Sequence, residues 1–232
     1  MQFSFDTRPS DSPLVRGVWR TASDSGGVFN SLAETHWGLA ITRQQGKTTV
    51  TLLGPQTSAR LAPVPQEAEI LGLVFKLGVS MPGLDALALV DKTIELPNDG
   101  RRFWLDSKSW EIPTFENADD FVAALVAGGR LVYEPVIEKA LTVDAPKGMS
   151  PRTMQRQFLR TTGMSRNTVR QIERARSALA MLNDGEQAMD VIEKAGYYDQ
   201  SHLIRSFGQY LGYRPTQSQD AADWRALLTS TW

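Results

Sequence analysis

The hydrophobic pattern of this chain changes its period once. From about residue 28 to 97, short apolar or β-branched runs (WGLAITRQ, KTTVTLLGP, SARLAPV, AEILGLVFKLGV, TIELP) are cut by Gly, Pro and Asn. Runs of that length bounded by turn residues predict strands joined by tight turns, and so a small β-sandwich or barrel. Residues 98 to 118 are mixed, and the acidic stretch TFENADD offers Asn117 or Asp119 as the cap of a helix beginning at FVAALVA. Beyond a boundary near residue 112 the spacing is helical. Between Arg166 and Asn183, the residues Thr168, Ile172, Ala175, Leu179 and Leu182 recur at i, i+4, i+7, i+11 and i+14, with Arg166, Arg170 and Arg174 forming a ridge on another face. Such a helix has a length of about 27 Å at ~1.5 Å per residue.

The helical part repeats itself. SPRTMQRQFLRTTG, starting at Ser150, aligns without a gap with DQSHLIRSFGQYLG, starting at Asp199: Met154 pairs with Leu203, Arg156 with Arg205, Phe158 with Phe207 and Gly163 with Gly212. Ser150 and Asp199 are both good N-caps. Within each predicted helix Met154 and Phe158, or Leu203 and Phe207, share one face, while Arg152, Gln155 and Arg156, or Ser201 and Arg205 with His202 and Gln209 beside them, lie on the other. A further helix is predicted ahead of each copy, over 134–141 (EPVIEKAL) and 187–195 (QAMDVIEKA). Helix, turn and capped helix with a basic outer face is the helix-turn-helix arrangement, whose second helix enters the major groove. A rigid linker of about 27 Å is of the right order to hold two such helices in successive grooves ~34 Å apart.

Charge sharpens this picture. The whole chain of 232 residues has a formal net charge of only -1. Residues 146–176, however, hold Lys147, Arg152, Arg156, Arg160, Arg166, Arg170, Arg174 and Arg176 against Glu173 alone, and the distribution is what a polyanion senses. Residues 183–200 are the reverse, with Asp184, Glu186, Asp190, Glu193 and Asp199 against Lys194. An arginine run by itself is most often a solvated helix face, but a solvated face does not predict a matching Arg205 in the same cap-and-core frame.

These residues resemble the AraC/XylS family of bacterial transcription regulators over roughly 119–217, most tellingly in AGYYDQSHLIRSFGQYLGYRP, where Ala195-Gly196, Gln200, Ser201, Arg205, Phe207, Gly212 and Pro215 fall in the expected places. The resemblance implies an α+β chain: a cupin-like β-barrel or sandwich for effector binding or dimerisation over 1–112, a DNA-binding domain of two helix-turn-helix units joined by a long helix over 113–220, and a tail over 221–232. It implies that Arg152, Gln155 and Arg156 of the first recognition helix and Gln200, Ser201, His202 and Arg205 of the second meet base edges, and that Arg160, Arg166 and Arg170 meet phosphates. Double-stranded operator or promoter DNA is the implied partner, with room for a small-molecule effector, RNA polymerase and a homodimer, and no membrane. Two features depart from the family pattern: the long turn TVDAPKGMS in the first unit, and TQSQ after the final Pro.

Composition narrows the alternatives. Hydrophobic residues at 41% and charged residues at 22% describe a globular chain with a proper core. The absence of cysteine excludes disulfides, thiolate metal sites and a cysteine nucleophile. MQFSFDTRPSDSPLVRG has no leader pattern and no run reaches the ~18 apolar residues of a spanning helix, so the expected location is the bacterial cytoplasm, at the nucleoid. Glu34 and His36, at i and i+2 on one strand face, could supply two ligands to a metal, which would make the β-domain a metal-dependent cupin enzyme with an accessory helical domain. With only two histidines in the chain the further ligands are missing, so the expectation is no enzyme, no metal and no cofactor. Trp19, Trp37, Phe75, Trp104 and Trp110 are expected in the core, with a pocket lining as the other reading.

Overall fold

The structure is a computed structural model that describes residues 4–142 and 148–212. Part of the first unit's long turn, GYRP and TQSQ beyond Gly212, and the 221–232 tail lie outside the described residues. Strands β1 (Ser4–Arg8), β2 (Val15–Ser23), β7 (Ala68–Phe75), β4 (Gly38–Gln44), β5 (Lys47–Leu53) and β9 (Thr93–Leu96) form one antiparallel sheet in the order β1-β2-β7-β4-β5-β9. Three two-stranded pieces accompany it: β3 (Gly27–Ser31) with β6 (Arg60–Val64), β8 (Val79–Ser80) with β12 (Val132–Tyr133), and β10 (Arg102–Leu105) with β11 (Lys108–Glu111). Among the described residues the sheet does not close, since β1 and β9 remain its two edges. Of the barrel and sandwich expectations, the closed barrel is therefore corrected to an open sheet accompanied by a β3–β6 ribbon. Alternation reports which face each residue takes but not whether the first strand meets the last.

That alternation divides the sheet cleanly. Leu39 and Ile41, Val50 and Leu52, and Leu71, Leu73 and Phe75 point into one apolar core, whereas Ala40 and Thr42, Thr51 and Leu53, and Ile70 and Val74 face the other way. The core side is closed by helix α1 (Ala118–Ala127) through Ala118, Phe121, Val122 and Leu125. Helix α1 and Leu131 thus share the sheet's apolar core. The helical spacing of α1 is real, but spacing does not say which partner buries the apolar stripe.

The remaining helices are α2 (Pro135–Lys139), α3 (Pro151–Thr162), α4 (Arg166–Asn183), α5 (Ala188–Lys194) and α6 (Gln200–Leu211). Helix α4 spans the stretch that its period predicts, although its buried stripe is Val169, Ile172, Ala175, Ala178 and Leu179, with Thr168 and Leu182 at the margins. Its first half packs with Ile137, Met154 and Phe158, and its second half with Val191, Leu203, Phe207 and Leu211. Ala33 and Leu77 from the β-part enter the first of these clusters, and Leu32 packs against the second, so sheet and helices share buried surface.

Candidate nucleic-acid interface

Helices α3 and α6 are built alike. Ser150 Oγ accepts a hydrogen bond from Thr153 N at 3.1 Å, and Asp199 Oδ1 accepts one from His202 N at 2.7 Å, so each first turn has one of its free N–H groups satisfied. Each helix ends on a glycine in the left-handed region, Gly163 at φ 74° and Gly212 at φ 66°, where a Cβ would be strained. Met154 and Phe158 are buried in one, Leu203, Phe207 and Leu211 in the other. Opposite them Arg152, Gln155, Arg156 and Arg160 are exposed on α3, and Gln200, Ser201 and Arg205 on α6.

Other expected contacts sit less freely. His202 is half-buried, edge-on to the Tyr197 ring at 5.1 Å, and its Nδ1 accepts from Tyr198 N at 3.4 Å. Arg166 is half-buried at the start of α4. Arg170 donates from Nε and Nη2 to Leu141 O at 2.9 and 2.7 Å, which ties α4 to the end of α2. Arg174 donates to Gly196 O and to Gln171 Oε1 and lies over the Tyr197 ring at 4.4 Å. Two arginines of the α4 ridge therefore hold neighbouring backbone. A residue that sequence reasoning passed over is Tyr198, 90% exposed just ahead of the α6 cap; its neighbour Tyr197 is buried, and nothing in the pair YY tells them apart.

The face of the sheet turned away from α1 meets the β3–β6 ribbon across a cavity of about 720 Å³. Trp19 lies flat over Gly72, where any side chain would collide with the indole, and with Trp37 and Phe29 it makes the cavity largely apolar. Of the other large aromatics, Phe75 is in the core, Trp110 packs beside it and Trp104 is partly exposed. At the polar end of the cavity stand Arg16, Glu34, His36 and, from α4, Arg176. His36 Nδ1 is 2.5 Å from Glu34 Oε1, Arg176 Nη2 donates to Glu34 Oε2 at 3.1 Å, and Thr35 Oγ1 donates to Glu173 Oε1 at 2.7 Å. Burial pushes the Glu34 carboxyl up, but Arg176, His36 and Arg16 outweigh it and hold the carboxyl well below the usual carboxylate range. Glu34 and His36 thus do meet, at a junction with the linker helix; among the described residues no three His, Cys, Asp or Glu side chains gather to hold a metal ion.

Capped helix pairs on a common linker, with apolar faces inward and long donors outward, define the helix-turn-helix class of DNA-binding domain. Residues 147–221 match the protein-family model described as a helix-turn-helix domain, of the AraC type. The match begins after α2 and excludes α1, in keeping with the packing of α1 on the sheet. No curated protein matches the chain. Among solved structures, ToxT from Vibrio cholerae aligns over 92% of this chain and 97% of its own at 10% identity and a TM-score of 0.38. That likeness is too low to carry an argument.

Proposed function

We propose that the chain is a sequence-specific, double-stranded DNA-binding transcription regulator in which α2–α3 and α5–α6 are two helix-turn-helix units joined by α4. The observation that carries this reading is the shared frame of α3 and α6: an N-cap side chain, a buried apolar pair, a left-handed terminal glycine and an outer face of Arg, Gln and Ser. Arg152, Gln155 and Arg156, and Gln200, Ser201, His202 and Arg205, would read base edges, where a good bidentate contact is worth about 1–3 kcal/mol. Arg160 and Arg166 would meet phosphates; Arg170 would do so with what its bond to Leu141 leaves free. No catalytic constellation enters this reading. Among the described residues no helix is long and apolar enough to cross a membrane.

Regulation by a small molecule in the β-part is supported by the cavity, which is of the size that encloses a compact ligand and is walled by both the sheet and Arg176 of the linker helix. Contact with RNA polymerase, a homodimer and action at the cytoplasmic nucleoid complete the proposal. The test is selection of bound duplexes from a random-sequence pool with the full-length protein, followed by titration of the winner over a range of salt. Two enriched blocks about one helical turn apart, bound far above scrambled DNA, are expected. Uniform, weak and salt-sensitive binding to every duplex would sink the reading.

A further inference from the structure

The last turn of an α-helix leaves carbonyls without partners inside the helix. At the end of α6 these carbonyls are met by the β-part: Ala59 N donates to Gln209 O at 2.9 Å, Ala33 N to Tyr210 O at 2.8 Å, and Asn30 Nδ2 to Leu211 O at 2.6 Å. Asn30 lies on β3, Ala33 shortly after it and Ala59 just before β6, so all three donors belong to the ribbon that roofs the cavity and to its flanking loops. The contact is close. A Cβ on Gly212 would come within 2.5–2.8 Å of the Asn30 amide group and displace it from Leu211 O, and the left-handed φ of 66° favours glycine as well. Helix α3 has a different neighbour at the equivalent glycine. Around Gly163 stand Ala86 O and a Val90 methyl, and neither can donate a hydrogen bond.

We infer that Asn30, together with the backbone N–H groups of Ala33 and Ala59, positions the second recognition helix from outside its own unit, so that the roof of the cavity sets how α6 meets DNA. The inference rests on the reading of α6 as a recognition helix. Physically, three donors aimed along the helix axis at its negative end fix both the tilt and the rotation of α6, and they complement the macrodipole. Phe29, Ser31 and Ala62 of the same ribbon line the cavity. Whatever fills the cavity is therefore passed by hydrogen bonds to the C-terminus of α6 and to the DNA block that α6 reads, whereas the groups around the terminal glycine of α3 offer no such donor. Asn30 touches no base; it acts through α6.

The experiment uses full-length protein and the selected duplex with either block scrambled in turn, and reads the affinity ratio of intact to scrambled DNA for each block. The block whose ratio collapses in Arg205→Ala is the one that α6 reads. Asn30→Asp keeps the shape, removes the donor and points a carboxylate at Leu211 O. It is expected to lower the α6-block ratio by about tenfold and to leave the other within about twofold. In the double variant Asn30→Cys with Gly212→Cys, the two cysteines are the only ones in the chain, and the Asn30 Cγ position lies 2.8 Å from a Cβ at residue 212, which is disulfide range. Oxidation is expected to restore the α6-block ratio and reduction to lose it, with the strain of a cysteine in the left-handed region common to both states. A general loss of stability would move both blocks together and would not reverse with the redox state. An α6-block ratio unchanged in Asn30→Asp, both ratios falling alike, or no difference between oxidised and reduced protein overturns the inference. Wild-type protein that discriminates at neither block fails earlier, in the DNA-binding reading itself.

Discussion

The two helix pairs share a frame and differ in everything around it. The α3 pair carries a cluster of arginines, with Arg152, Arg156 and Arg160 exposed on one helix, and its hydrogen bonds to the β-part, Tyr133 Oη to Glu138 Oε2 and Glu134 N to Gly78 O, are made at α2. The α6 pair is flanked by Asp184, Glu186, Asp190, Glu193 and Asp199, presents Arg205 alone among Lys and Arg on α6, and is held to the β-part by hydrogen bonds at the end of that helix. The lesson is a division of labour. Positive charge concentrates in the first pair, and the ribbon beside the cavity directs its hydrogen bonds to the recognition-helix candidate of the second.

The largest effects test whether the two pairs are equivalent as cores. Phe158 and Phe207 occupy matching positions at 0% and 3% exposure, and truncation of either to alanine is expected to cost about 3–5 kcal/mol in urea unfolding. Each should also remove its own DNA block and spare the other. If Phe207→Ala abolishes both blocks, the second pair is needed to hold the first and the comparison fails at the level of folding.

Next come the arginines. Arg156→Ala is expected to weaken operator binding by about 2–3 kcal/mol and to flatten the salt dependence by about one ion, because under the proposed function it would remove a base contact within the basic cluster. Arg205→Ala, set among acids, is expected to lose about 1 kcal/mol. Equal losses in a binding titration would show that the net charge of each pair does not divide the work.

A smaller effect concerns the junction of sheet and linker helix. Glu34 is held ionised by Arg176, His36 and Arg16, so its carboxyl stabilises the folded state at pH values above its ordinary value of 4.5, and that contribution is lost as the pH falls below 4.5 towards the depressed folded value. At neutral pH, Glu34→Gln is expected to be less stable than wild type by about 1.5 kcal/mol in thermal unfolding. The gap should close on acidification, since wild type then loses the charge that the variant never had. A gap independent of pH would place the effect in packing.

Much of this arrangement is legible in the chain because its causes are local. The runs at 38–53, 60–75 and 93–96 became strands because alternation and turn residues act over a few positions, and α4 kept its predicted limits because Ser165, whose Oγ accepts from Thr168 N at 3.0 Å, caps its start. The hairpin β10–β11 was hidden. Its two turn residues, Asp106 at φ 47° and Ser107 at φ 61°, adopt a left-handed conformation without glycine, so LDSK lacks the usual turn signal. The open sheet, the attachment of α1, the capture of Arg170 by Leu141 O and the meeting of Glu34 with Arg176 all join residues far apart in sequence, and no periodicity encodes them. The cap-and-core half of the candidate interface was therefore readable, and the half made by contact with the β-part was not.

The smallest expected effects lie at the caps, and they separate the frame from its surroundings. Ser150→Ala and Asp199→Ala each remove one acceptor from a first-turn N–H, a loss of about 1 kcal/mol wherever such a cap is deleted. If the frame alone mattered, both variants would lose the same stability and the same DNA affinity. The surroundings predict a difference. Asp199 is also an acid at the very start of α6 that would approach phosphates, so its removal trades a weaker helix start for relief of charge repulsion, whereas Ser150 has no charge to give up. Asp199→Asn keeps a capping oxygen without the charge and is therefore expected to bind the operator slightly more tightly than wild type at low salt, with thermal stability nearly unchanged. Should Asp199→Asn instead weaken binding, the acid at that position contributes to recognition, and the view of the second pair as electrostatically passive has to be given up.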